Sequence, residues 1–169
     1  MAEEAAQPQL TINTQYVKDH SFENPNAPTI YGSMRTGKPD INVSIEVTPT
    51  QLQDSIYEVV LALRAEAKIG DTPAFLAELD YAAVVSLGPD VTEQMREQLV
   101  MIEVPRHLFP FARAILADDT RDGGFPPLMM GPVDFAQLYL SRKVAAGAAQ
   151  KEGEGEAKAE GSNGANGQA

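Results

Sequence analysis

The chain has 169 residues, enough for one ordinary domain with a real core and too few for two well-packed ones. Asp and Glu outnumber Lys and Arg 24 to 13, and the net charge of −11 argues against nucleic acid and anionic membrane surfaces, which need clustered cations; it favours a basic protein partner. The absence of cysteine removes disulfides, thiolate metal sites and cysteine nucleophiles.

The opening MAEEAAQPQL is acidic and lacks the basic and apolar regions of a secretory signal, and residues 1–8 are expected to be disordered. A first strand is predicted over 10–22, with Leu10, Ile12, Tyr16 and His20 on one parity and Lys18 intruding on it. The following NPNAPTIYGSMRTGKP is too long and too rich in proline for a hairpin, and predicts a crossover spanning the sheet. Over 40–48, Ile41, Val43, Ile45 and Val47 alternate with polar residues, the pattern of a half-buried strand. Over 55–69, Tyr57, Val59, Leu61, Leu63, Ala65, Ala67 and Ile69 share a side. Over 74–87, Phe75, Leu79, Tyr81, Val85 and Leu87 do so, with Leu76, Glu78 and Asp80 opposite. Gly70 gives the connection between these two strands access to positive φ.

After Leu87 the period changes to helical. Asp90-Val-Thr-Glu93 resembles a capping box, and Met95, Leu99, Ile102, Leu108, Phe111, Ile115 and Leu116 mark an amphipathic helix over 92–118, which Pro105 and Pro110 should kink or split. An apolar loop, RDGGFPPLMMG, precedes a second helix starting near Pro132 and ending among Arg142 and Lys143. Residues 149–169 hold no Leu, Ile, Val, Met or aromatic side chain and are expected to be a disordered acidic, Gly-rich tail, leaving 9–148 as the folded domain. No segment approaches the roughly 18 consecutive apolar residues of a membrane-spanning helix, so a cytoplasmic protein without direct membrane insertion is expected. The expected fold class is α+β: a four-stranded antiparallel sheet with a crossover loop after strand one and two C-terminal helices packed on one side.

Catalytic chemistry finds no support in these residues. There is no phosphate loop and no serine elbow, and nothing nominates a cofactor or a metal. His20 and His107 read as surface or capping residues, and Asp118, Asp119 and Asp122 as a solvated loop at a helix end.

Five segments in order, YVKDHSFENPNAP (16–28), YEVVLALRAEA (57–67), TPAFLAELDYAAVVSL (72–87), PRHLFPFARAIL (105–116) and GGFPPLMMGPVDFAQLYL (123–140), resemble successive blocks of the SecB family of export chaperones. The resemblance covers roughly residues 10–145, and the combination of KD-SFE-PNAP, LFPFAR and FP-L---PV-F is what makes it specific. It implies a homotetramer, built as a dimer of dimers with the long helix between dimers; the other reading of that helix is that it covers its own sheet. It also implies an ATP-independent holdase, not an enzyme, that binds unfolded secretory precursor proteins and delivers them to the SecA motor.

Adaptable apolar side chains suit such a surface, and the candidates are Ile30, Tyr31 and Met34 in the crossover, Leu128, Met129 and Met130 in the apolar loop, and Phe135, Leu138 and Tyr139 on the last helix. Phe135 and Leu138 have core packing as their alternative. Family members commonly carry a tryptophan in the crossover; this chain has none, and Met34 is the candidate for its place. By the same resemblance Asp19, Glu23, Leu76 and Glu78 would dock a basic, zinc-bearing tail of SecA, the zinc belonging to the partner. A SecB-like chaperone dedicated to one client, as in a toxin–antitoxin system, and a small-ligand or enzymatic α+β domain are the competing readings.

Overall fold

The computed structural model describes residues 9–146. The expected disordered ends, 1–8 and 149–169, lie outside the described residues. The chain forms two compact units, one running to Val133 and the other starting at Asp134.

In the first unit, strands β1 (Leu10–Glu23), β2 (Asp40–Gln53), β3 (Ile56–Ile69) and β4 (Thr72–Leu87) form one antiparallel sheet in the order β1-β4-β3-β2. The crossover therefore carries the chain from one sheet edge to the other, as its length predicts, and it contains one short helix, α1 (Ile30–Ser33). Alternation decides the faces of β3 and β4: every odd residue of β3 from Tyr57 to Ile69 is buried, and so are Phe75, Leu79, Val85 and Leu87 of β4. A two-residue turn joins them, with Gly70 at φ +61°.

β1 departs from simple alternation. Its pairing with β4 slips between Ile12 and Thr14 and again between Val17 and Asp19, so Asn13 and Lys18 are extra residues. Each bulge flips the parity that follows. Because paired residues point to one face, Leu10, Ile12 and His20 face the helical side together with Val17 and Phe22. Tyr16, opposite Ala82, is turned to the open face, away from the set in which the simple period places it. His20 then reaches across, its Nε2 2.6 Å from Asp119 Oδ2, so it is not an isolated surface histidine.

The long helix is continuous over 93–122 but changes pitch. α2 (Glu93–Gln98) is capped by Thr92, whose hydroxyl accepts from the Met95 N–H at 3.3 Å, two residues beyond the expected Asp90. A π-helical turn, Leu99–Glu103, leads into α3 (Val104–Asp122), with the Val104 N–H bonded to the Leu99 carbonyl. Pro105 has no N–H, and its ring crowds the carbonyl four residues back; widening the helix there accommodates both without a break. The extra residue also rotates the apolar stripe. Val100, Val104, Leu108, Ala112 and Leu116 are buried, whereas Phe111 of the same helix is 53% exposed. α3 packs on β3 and β4, and among the described residues the opposite sheet face is left open.

α3 runs one turn past the expected end at Asp118. Asp118 and Asp122 pair with Arg121 within its last turn, so these acids, with Asp119, belong to the helix rather than to a loop. Phe22 of β1 packs over Gly123 so closely that a Cβ there would lie 2.5 Å from its ring.

The second unit begins with Asp134, whose carboxylate accepts from the Gln137 N–H at 3.0 Å and caps α4, residues 135–146. The helix thus starts three residues after Pro132, because Asp134 supplies the cap that Pro132 cannot.

Candidate functional site

The open face of the sheet gathers the acidic candidates. On β1 and β4, Glu23 lies opposite Leu76, Ser21 opposite Glu78, and Asp19 opposite Asp80. Asp19, Glu23, Leu76 and Glu78 thus share one face across two adjacent strands. On β3, Arg64 lies opposite Glu78 and Glu66 opposite Leu76. The Arg64 guanidinium donates to both Glu66 and Glu78, and these contacts, Glu66 foremost, hold its pKa above the ordinary arginine value. Arg64, Glu66 and Asp80 were legible as polar-face residues through strand parity, but not as members of this cluster, because only the register aligns them.

Nearer the other end of the same face, Glu58 accepts from Lys18 Nζ at 2.6 Å and from the Tyr16 hydroxyl. The hydrogen bond from Lys18, then that from Tyr16, lowers the carboxyl pKa; donating to Glu58 raises the phenol pKa.

The helical side carries the apolar candidates. Ile30 is buried, 1% exposed, so its place in the crossover does not put it on the surface: α1 turns its side chain into the core. Tyr31 is exposed and links two segments. Its hydroxyl donates to the Gly123 carbonyl and accepts from Asn24 Nδ2, both at 2.8 Å, and its ring lies 5.7 Å from that of buried Phe125. Phe125 packs on Phe75, and Phe75 on Phe22, so one aromatic cluster fixes the crossover to the chain leaving α3. Met34 is half-buried just beyond α1.

From Phe125 the chain runs back along α3. The Thr120 carbonyl accepts from the Phe125 N–H at 2.9 Å, and the Thr120 hydroxyl accepts from the Leu128 N–H at 2.8 Å. Arg113 Nη1 donates to the Met130 carbonyl at 3.3 Å. Leu128 and Met130 are half-buried, Met129 is 82% exposed, and the three border a shallow groove with Pro110, Ala114 and Ala117 of α3. Thr120 and Arg113, which position this segment, carry no local sequence signal. In the second unit, Phe135, Leu138 and Tyr139 fall on one side of α4; Phe135 is buried and the other two are half-buried.

Among the described residues no group of His, Cys, Asp and Glu could hold a metal ion, and no helix is long and apolar enough to cross a membrane. A methionine-bearing apolar surface beside α3, with an acidic sheet face turned the other way, defines a two-faced class of α+β protein.

Comparison with known proteins gives that class a family. The family model described as preprotein translocase subunit SecB matches residues 3–146. A protein-export protein SecB from Parvibaculum lavamentivorans is 50% identical over 141 residues, 83% of each chain. One from Afipia carboxidovorans is 51% identical over 138 residues, 82% of this chain and 84% of the relative. The chain belongs to the SecB family, whose members are protein-export chaperones and not enzymes. A SecB-like chaperone from Mycobacterium tuberculosis, solved with an antitoxin peptide, superposes with a TM-score of 0.63 over 74% of this chain and 91% of that one. At 15% identity that likeness carries the fold and not the client.

Proposed function

We propose that the chain is an ATP-independent holdase that keeps precursor proteins unfolded in the cytoplasm and hands them to SecA, working as a tetramer formed by two dimers. The observation that carries this reading is the division of labour across the sheet: Asp19, Glu23, Leu76 and Glu78 share the open face, while Leu128, Met129 and Met130 lie by α3 on the other side. A client and a basic motor segment can then be bound at once. Tyr31 and Met34 extend the apolar surface through the Tyr31 to Gly123 bond, and Leu138 and Tyr139 offer apolar side chains of their own on α4. The acidic docking set supports general export over a chaperone dedicated to one client.

The test is light scattering coupled to size exclusion, with and without a urea-unfolded secretory precursor, on the natural chain and two variants. A species of four chains that retains the unfolded precursor and ignores the folded one is the expected result. Met129→Asp with Met130→Asp should weaken precursor capture at least tenfold, since even one methionine fully buried contributes about 1.5–3 kcal/mol, and leave SecA binding intact. Glu78→Lys should do the reverse. Equal loss of both activities in either variant would refute the two-surface reading.

A further inference from the structure

The acids proposed to meet a basic partner already hold a cation. Arg64 stands directly opposite Glu78 in the β3–β4 pair, and its guanidinium bridges Glu78 and Glu66. Around it Ser44, Glu46, Ala62 and Asp80 complete a shallow depression in the open face, in which Arg64 is the basic side chain. All three members of the bridge are exposed to a similar degree, 46% for Arg64, 44% for Glu66 and 45% for Glu78. Exposed pairs of this kind are screened by solvent and contribute little to stability. The bridge is therefore weak enough to exchange and strong enough to be felt by a competitor.

We propose that Arg64 is a built-in competitor for the docking carboxylate: it occupies Glu78 and Glu66 in the free protein, and an Arg or Lys of the basic partner must displace it on docking. The inference rests on the docking role given to Glu78 above. Its consequence is a docking affinity set below what the acids alone would give, so that the partner is held loosely enough to be released. Removing Arg64 adds one uncompensated carboxylate contact to the complex, which tightens docking and steepens its dependence on salt.

Calorimetric titration of the full-length chain with a zinc-loaded peptide of the basic SecA tail reads this directly. Arg64→Gln is expected to tighten binding about three- to fivefold, the upper part of the range for an exposed pair. Arg64→Lys, which keeps the charge, should stay near the natural affinity. Lys38→Gln, an equal charge change in the crossover, should give less than half that gain. In a Glu78→Gln background, Arg64→Gln should lose most of its effect. Thermal melts confirm that each variant is folded. A gain from Arg64→Gln no larger than from Lys38→Gln would reduce Arg64 to a contribution to net charge, and a loss would make it a docking contact; either overturns the inference. Should Glu78→Gln bind the peptide as tightly as the natural chain, the docking reading itself fails, and the competitor with it.

Discussion

Glu58 shows how one bulge changes the chemistry of a face. Without the extra residue at Asn13, Tyr16 would point to the helical side; with it, Tyr16 and Lys18 both reach Glu58 on the open face. The carboxyl pKa is lowered in the folded protein, chiefly by Lys18 and then by Tyr16. A lowered folded value adds stability above the ordinary glutamate range that disappears as pH falls through that range to the folded value. The raised Tyr16 phenol works at the other limb: its stabilisation is complete below the ordinary tyrosine value and fades as pH climbs past it. Lys18 is 45% exposed, so solvent screening keeps the total below about 1 kcal/mol. Urea unfolding of Glu58→Gln between neutral and acid pH should show a loss of that size at pH 7 that vanishes on acidification. An acid limb identical to that of the natural chain would mean the cluster adds nothing. Lys18 looked like an intruder in the strand pattern because a bulge leaves no mark in composition.

At the scale of elements, Thr120 is what joins the apolar segment to α3. It is fully buried, and its hydroxyl both accepts from the Leu128 N–H and donates to the Leu116 or Ala117 carbonyl at 3.1 Å. Thr120→Val keeps the shape and strands the Leu128 N–H, at a cost of about 1–3 kcal/mol. Hydrogen exchange over 125–130 should accelerate by tenfold or more while β3 and β4 stay protected, and precursor capture should fall. Unchanged exchange would show that the aromatic cluster alone holds the segment. The strands were legible because a period of two reports directly on the faces of β3 and β4, and the crossover because sixteen residues with three prolines suit no hairpin. Leu128, Met129 and Met130 were legible as an apolar run in a loop. Ile30 was misplaced for a reason that lies outside local pattern: α1 is a single turn that points Ile30 inward. Thr120 looks like any polar helix residue until the chain folds back on it.

At the scale of the whole molecule, an excess of acid and an exposed apolar patch pull in opposite directions. A net charge of −11 sets copies of the chain to repel one another. Yet Phe111, 53% exposed, stacks on Tyr81 with ring centroids 6.3 Å apart, and Val17, 47% exposed, is the β1 partner of Tyr81. These three side chains form an apolar patch on the helical side that belongs neither to the core nor to the methionine groove. The proposed tetramer gives it a cover, through the long helix of one dimer meeting that of the other. Fully burying a phenylalanine contributes about 1.5–3 kcal/mol, and an aspartate in its place adds a desolvation cost, so Phe111→Asp should split the tetramer into dimers at micromolar concentration. Light scattering reads the mass and far-ultraviolet circular dichroism the sheet, which should be unchanged because Phe111 is exposed and lies outside the core. High salt supplies the complementary reading: it screens the acid repulsion, so the natural tetramer should hold or tighten, while a charge-built interface would loosen. A Phe111→Asp protein that remains four chains at micromolar concentration would place the patch outside the assembly and leave it to a partner of another kind.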